Sequence, residues 1–331
     1  MKALDTWERI LIALIVLVYL GFGLGIEGFF TPYALADSTY NFSEKALIAL
    51  AMALLVIAGE IDLSIAATMA LASMAMGFAM KAGAGTATMV LAALATGAAC
   101  GALNGWLVTR WKLPSIVVTI GTLSLYRGLA QVVLGDQALT GYPETLVTWG
   151  NGYVGDLIGL PWLIVPIEFA VMLIAALLVG LFLHATVHGR RVYAIGANAV
   201  TARFSGIAVD RYRMGLFVFA GVMAALAAVL LTGRIGSTRP NLAMGWELDA
   251  VTIVILGGVS ILGGKGSIVG TLLAAVLLGS FTFAMGMLNV TGIVVSMVVG
   301  GLLIVAMVLP QYLRRFMARF QRNQAVRGSF T

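Results

Sequence analysis

Glu60 and Asp62 are the first residues in this sequence whose chemistry needs explaining. They stand in Glu60-Ile61-Asp62-Leu63, a four-residue link between two long apolar runs. A charge at membrane depth is costly, so such acids are functional candidates by default. Asp62 has two roles open to it: accepting from N–H groups at the start of the next helix, or facing a transport pathway. Glu60 is the one acid of note for relaying a proton. Arg127 lies 12 residues beyond Ser115, about 18 Å along a helix, which places it in the outer half of its span. There it either snorkels outward or lines a pathway and bonds solute hydroxyls. Glu247 and Asp249 sit at the outer end of another apolar run, where they form a gate, receive an outside partner, or are simply solvated.

Other chemistries find little support. His184 and His188 have the i, i+4 spacing of metal ligands, but no Glu or third ligand accompanies them, so no metal site is expected. The single cysteine, Cys100, has no partner for an internal disulfide and reads as a small packing residue. A phosphate-cradling loop needs Gly-x4-Gly-Lys-Ser/Thr. Gly263-Gly264-Lys265-Gly266 lacks both that spacing and the hydroxyl after Lys. No cofactor is expected on this chain. A membrane enzyme would need paired His or acids at one face, and the sequence offers none.

The elements that must position these residues are membrane helices. Hydrophobic residues make up 61% of the chain and charged residues 10%, against about 25% charged in a soluble domain. Mean hydropathy is +1.03. The 48 residues from Gly266 to Leu313 carry no charge, enough for two crossings at about 20 residues each. The runs are apolar all round rather than alternating, so helices and not a barrel are expected. Lys2 and Arg9 before the run Ile10 to Ile26 imitate a signal peptide. The run is long for one and no small-x-small site follows, so it reads as a first span.

The fold class expected is an all-α polytopic membrane protein with about ten transmembrane helices. The spans fall near 10–26, 44–59, 64–80, 86–108, 115–135, 162–183, 214–232, 249–263, 266–285 and 290–309, within one domain, 1–331. The eighth is short and holds Gly257-Gly258 and Gly263-Gly264, so a broken or tilted helix is expected there. With the N-terminus inside, inner segments carry 15 of the 20 Lys and Arg and outer loops carry Lys45, Lys81, Arg234 and Arg239. That asymmetry predicts both termini cytoplasmic. The basic tail, about 311–331, holds Arg314 to Arg327 and accounts for most of the net charge of +6; it is read as contacting membrane lipid, not nucleic acid. Gly97 and Gly101, and Gly266 and Gly270, have the GxxxG spacing that lets helices approach, within one subunit or across a dimer.

The longest inner loop, about 184–213, contains Gly189-Arg190-Arg191-Val192-Tyr193-Ala194-Ile195-Gly196-Ala197-Asn198 and then Thr201-Ala202-Arg203-Phe204-Ser205-Gly206. Asn198 is a plausible N-cap and Gly206 a plausible residue to end the helix. A short amphipathic helix lying on the cytoplasmic face is expected, suited to a groove on a soluble partner; a plain basic connector is the other reading.

Gly189-Arg190-x3-Ala194-x-Gly196-x-Asn198, followed by Ser205-Gly206-Ile207, resembles the coupling-loop signature of permease subunits of ABC-type monosaccharide importers, the ribose, xylose, rhamnose and autoinducer-2 group. Three further stretches are similar to that family in the same order: Ile61-Asp62-Leu63-Ser64, Gly245-Trp246-Glu247-Leu248-Asp249-Ala250, and Leu256-Gly257-Gly258 through Gly263-Gly264-Lys265-Gly266. The resemblance spans nearly the whole chain. It implies a multi-pass bacterial inner-membrane permease with a cytoplasmic ABC ATPase subunit, a periplasmic sugar-binding protein and a second permease subunit, identical or paralogous. ATP would be used by the ATPase and not here. Gly189, Arg190, Ala194, Gly196, Asn198, Arg203 and Gly206 would couple to the ATPase. Glu60, Asp62, Arg127, Glu247 and Asp249 are candidates for pathway or gate. Glu60 departs from the family, which commonly has Gly there. Thr140-Gly141-Tyr142 resembles the autoinducer-2 and rhamnose members. A proton-coupled secondary transporter remains the alternative from the residues alone.

Overall fold

The computed structural model describes residues 5–301 and 304. The basic tail with Arg314, Arg315, Arg319, Arg322 and Arg327, the end of the expected tenth span and Lys2 lie outside the described residues. The elements in order are α1 (Thr6–Gly25), α2 (Pro32–Ile57), α3 (Ile65–Lys81), α4 (Thr86–Arg110), α5 (Ser115–Leu134), β1 (Leu139–Thr140), α6 (Glu144–Asn151), α7 (Val154–Ile158), α8 (Ile167–Ala185), α9 (Val187–Ala197), α10 (Ala199–Phe204), α11 (Val209–Ile235), β2 (Ser237–Thr238), α12 (Trp246–Leu256) and α13 (Ile268–Met287).

The chain is a polytopic helical membrane protein. Seven of its described helices are long and apolar enough to cross a bilayer. α3, with 17 residues, and a helix at Gly292–Gly301 are shorter apolar helices. The centre of the bundle is α2 and α11, with 83% and 67% of their spanning windows buried; α1 has 6% buried. Leu24, Val132 and Ile293 stand almost fully exposed. A surface this apolar faces hydrocarbon rather than water.

Close packing at the centre depends on small residues. A Cβ on Gly97 would overlap the Gly221 carbonyl, and one on Gly101 the Phe217 carbonyl, so this GxxxG pair seats α4 on α11 within one subunit. Gly270 meets the Gly257 carbonyl in the same way and seats α13 on the end of α12. Cys100 is buried, and its carbonyl accepts from Tyr126 Oη at 3.0 Å.

Several expectations are corrected. The second span starts not at 44 but at Pro32, capped by Thr31 Oγ1, and so takes in Asp37 as well as Glu44 and Lys45. The first helix starts at Thr6 through an Asp5–Glu8 capping box. The sixth span begins at Ile167, after a turn rather than at 162. The eighth is only α12, 11 residues, about 16 Å long, roughly half a bilayer core. The loop 184–213 holds two helices, α9 and α10, not one. The all-α expectation misses one short antiparallel pairing, β1 with β2, in which Leu139 faces Thr238 and Thr140 faces Ser237.

Candidate functional site

One end of the bundle carries α9 and α10. Thr186 caps α9 by accepting from Gly189 N at 3.1 Å. Gly189 lies so close to the Leu183 carbonyl that a Cβ would overlap it. Val192 and Ile195 turn inward while Arg190, Arg191 and Ala194 face out. Tyr193 Oη donates to Gly266 O at 2.7 Å, and burial pushes its phenol pKa up. His188 Nδ1 and Arg191 Nη1 both meet Tyr212 Oη, at 2.8 and 2.9 Å, and His184 packs on the Tyr193 ring.

Asn198 Oδ1 caps α10, accepting from Val200 N at 3.0 Å and Thr201 N at 2.9 Å. Gly206, at φ +81°, ends it in the left-handed conformation that glycine takes without strain. Only Ala202 of α10 is buried. Val200 and Phe204, at i and i+4, are 65% and 89% exposed. Arg203 Nη2 meets both Asp210 oxygens, at 3.1 and 3.2 Å, and Lys112 Nζ reaches the same carboxylate at 2.7 Å. α10 is therefore pinned to the start of α11 and to the α4–α5 turn.

Gly196 is not in a left-handed turn. It is small because three backbones cross there. A Cβ would overlap the Ile57 carbonyl and come 2.5 Å from Gly264 N, while Gly264 N itself donates to Ile57 O at 2.8 Å. Ile57 ends α2, so the α9–α10 junction rests directly on the break between α2 and α3.

Glu60 and Asp62 lie in that break. Glu60 is 5% exposed, and its Oε1 lies 2.7 Å from Arg213 Nε in the first turns of α11. Asp62 Oδ1 accepts from Ser64 N at 2.9 Å and Ser64 Oγ at 2.7 Å, holding the entry to α3. Asn104 Nδ2 donates to Ser64 Oγ at 2.8 Å and extends this buried network to α4. Trp7 Nε1 bonds Leu256 O at 2.8 Å, and Ser267 Oγ donates to Glu8 Oε1 at 2.7 Å. The start of α1 is therefore at this same end.

At the opposite end, β2 and the irregular residues 239–245 join α11 to α12. Thr238 Oγ1 donates to Ser73 O at 3.2 Å, midway along α3, so the segment begins inside the bundle. Buried irregular backbone needs partners for its polar groups. Arg127 Nη1 donates to Pro240 O at 2.7 Å and Leu242 O at 2.9 Å, supplying donors that a helix would have supplied itself. It turns inward rather than snorkelling, the first of the two readings left open by the sequence. Tyr142 Oη meets Thr238 Oγ1 at 2.6 Å, so Thr140-Gly141-Tyr142 braces the same segment. Asp249 Oδ2 pairs with Lys45 Nζ at 2.6 Å. Glu247 lies within electrostatic range of Arg127, and its Oε2 is buried without a hydrogen bond. The structure thus groups Arg127 with Glu247 at one end and Glu60 with Asp62 at the other; these do not form a single site.

A family model described as "branched-chain amino acid transport system / permease component" matches residues 34–308. The chain belongs to this permease family. It is 33% identical over 308 residues to the autoinducer 2 import system permease protein LsrD of Photorhabdus luminescens, covering 91% of this chain and 90% of that protein. It is 35% identical over 308 residues to LsrD of Escherichia coli strain K12 and of Shigella flexneri, covering 91% of each chain. No solved structure matches.

Sequence reasoning missed the permease's most buried charges. Glu44, in α2, accepts from Arg234 Nε and Nη2 at 2.9 and 2.7 Å, and Glu168 Oε2 lies 3.7 Å from Arg234 Nε. Both acids are 1% exposed or less. The signals available were an acid at the first position of the expected second span, Glu44, and one inside the expected sixth, Glu168; Arg234, counted with the outer loops, was not matched to either.

Proposed function

We propose that this permease is the transmembrane subunit of an ATP-driven importer that carries autoinducer-2 or a closely related sugar-like solute into a bacterial cell. The chain has about ten membrane segments, the half-helix α12 included, and both termini lie in the cytoplasm with α9 and α10. A cytoplasmic ABC ATPase docks on α10 and hydrolyses ATP; the permease binds no cofactor and catalyses no reaction. A periplasmic binding protein delivers the solute to the α6–α7 end. A second permease subunit completes the pathway in the inner membrane. Gly189, Arg190, Ala194, Gly196, Asn198, Arg203 and Gly206 shape the docking element. Asp62 and Glu60 belong to its inner gate, and Arg127, Glu247 and Asp249 to the outer one.

The observation that carries this reading is α10 itself. A six-residue helix pinned by Asp210 presents Val200 and Phe204 bare at i and i+4, the pattern of an apolar anchor for a groove. Membership in a permease-component family favours a multi-part importer over a single-chain proton-coupled transporter. The solute follows the LsrD relatives, which match 91% of the chain; the family description speaks of branched-chain amino acids. Phe204→Asp should abolish capture of the ATPase and autoinducer-2 uptake while the permease still reaches the membrane. Normal uptake with Phe204→Asp would refute docking through α10.

A further inference from the structure

Building on the importer reading, we infer that the backbone crossing of Ile57, Gly196 and Gly264 is where motion of α9–α10 enters the spanning helices, and that the Glu60–Arg213 ion pair is the latch holding that crossing at rest. At the crossing no side chain separates the segments. The Gly264 N to Ile57 O bond joins two of them, and Gly196 is wedged against both atoms. Tyr193 Oη to Gly266 O ties α9 to the same loop a second time. Packed backbone yields little, so a displacement of α9 must displace the end of α2 and the loop after α12 with it.

The ties from this moving body to α11 are unequal. His188 and Arg191 of α9 both bond Tyr212 Oη, but these contacts are exposed. The Arg203–Asp210–Lys112 cluster joins α10 to α11, but its side chains are 41–56% exposed, and ion pairs so exposed hold weakly. Glu60–Arg213 is different. It spans from the α2–α3 break to α11 at 2.7 Å as a charge contact rather than an aligned hydrogen bond, with side chains 6% and 22% exposed. Removing one partner leaves the other charge largely buried and uncompensated. This pair is therefore the strong contact that must break if the crossing is to move against α11. Beyond it, Asp62 and Ser64 carry the displacement into α3, and Asn104 into α4. A rigid input, one strong breakable contact and a connected output are the parts of a two-state switch. Glu60 and Arg213 act as positioning residues: neither touches solute or nucleotide in this scheme.

The test uses the complete importer in membrane vesicles, with autoinducer-2 uptake and ATP hydrolysis measured on the same sample. Glu60→Gln and Arg213→Gln should each raise hydrolysis without binding protein and lower uptake per ATP by about tenfold, the scale of a two-state equilibrium that loses a partly buried ion pair. ATPase capture should not change. Glu60→Arg with Arg213→Glu should restore the ratio to within about twofold of wild type. If a glutamine variant fails to reach the membrane, Glu60→Asp, one methylene shorter, should uncouple in the same direction. Single variants with the wild-type ratio, or an exchange as uncoupled as the singles, would overturn the latch. Capture of the ATPase by the wild-type chain reports on the importer reading alone. Its absence overturns both proposals, whereas capture with an unchanged ratio overturns only the latch.

Discussion

Adding one methyl group at Gly196 should disconnect transport from folding. In Gly196→Ala the new Cβ overlaps the Ile57 carbonyl and stands 2.5 Å from Gly264 N. The backbones must separate by about 1 Å or more, which costs about 1–3 kcal/mol as overpacking. The Gly264 N to Ile57 O bond is then stretched or lost, at about 1 kcal/mol. Together these approach the whole stability of a loop contact, but they fall on one crossing at the end of a bundle whose core is α2 against α11. The expected result is an inserted permease at about half the wild-type level or more, a cost the core tolerates. Uptake of autoinducer-2 should fall at least about tenfold, since 1.4 kcal/mol already shifts an equilibrium that far. Gly215→Ala is the control: it lies on α11 with nothing within 4 Å of its Cβ and should be neutral. Quantitative membrane blotting with uptake kinetics separates the two effects. Wild-type uptake in Gly196→Ala would show that the crossing is compliant and that the close approach has no role in transmission.

Asn198→Ala removes the acceptor for two α10 amides and should cost about 1 kcal/mol of helix stability, reducing ATPase capture; Asn198→Asp should keep both cap and capture, as read by pull-down. Arg234→Met leaves Glu44 and Glu168 buried with no cation, a loss of about 3–5 kcal/mol, so the purified permease should unfold at a clearly lower temperature in a detergent thermal-shift assay. Arg127→Ala frees the Pro240 and Leu242 carbonyls, and thiol labelling of Met244→Cys, in a Cys100→Ser background, should speed up as residues 239–245 loosen. For topology, Trp162→Cys in the same background is exposed and should react with an impermeant thiol reagent in intact cells; reaction only after lysis would reverse the orientation.

What the sequence determined by itself is local. Long uncharged runs dictate helices in a bilayer, because hydrocarbon offers backbone amides no partner. Asn198 and Gly206 announce the ends of α10 because capping acts within three or four residues. Four short motifs sufficed for the permease family. The tertiary structure decided everything that joins distant segments. α2 reaches back to Pro32 across Glu44 and Lys45 because Arg234 and Asp249, 190 and 204 residues away, compensate them; a hydropathy window counts a charge as a charge and knows nothing of its partner. Arg127 could snorkel or line a pathway as far as the sequence went; its partners are the carbonyls of residues 240 and 242, from a segment more than 100 residues on. Gly196 stood out as a motif position; its backbone is ordinary and its smallness answers to Ile57 and Gly264. In each case the deciding neighbour was brought by packing, and packing in a bundle pairs residues by depth along the helices rather than by distance along the chain.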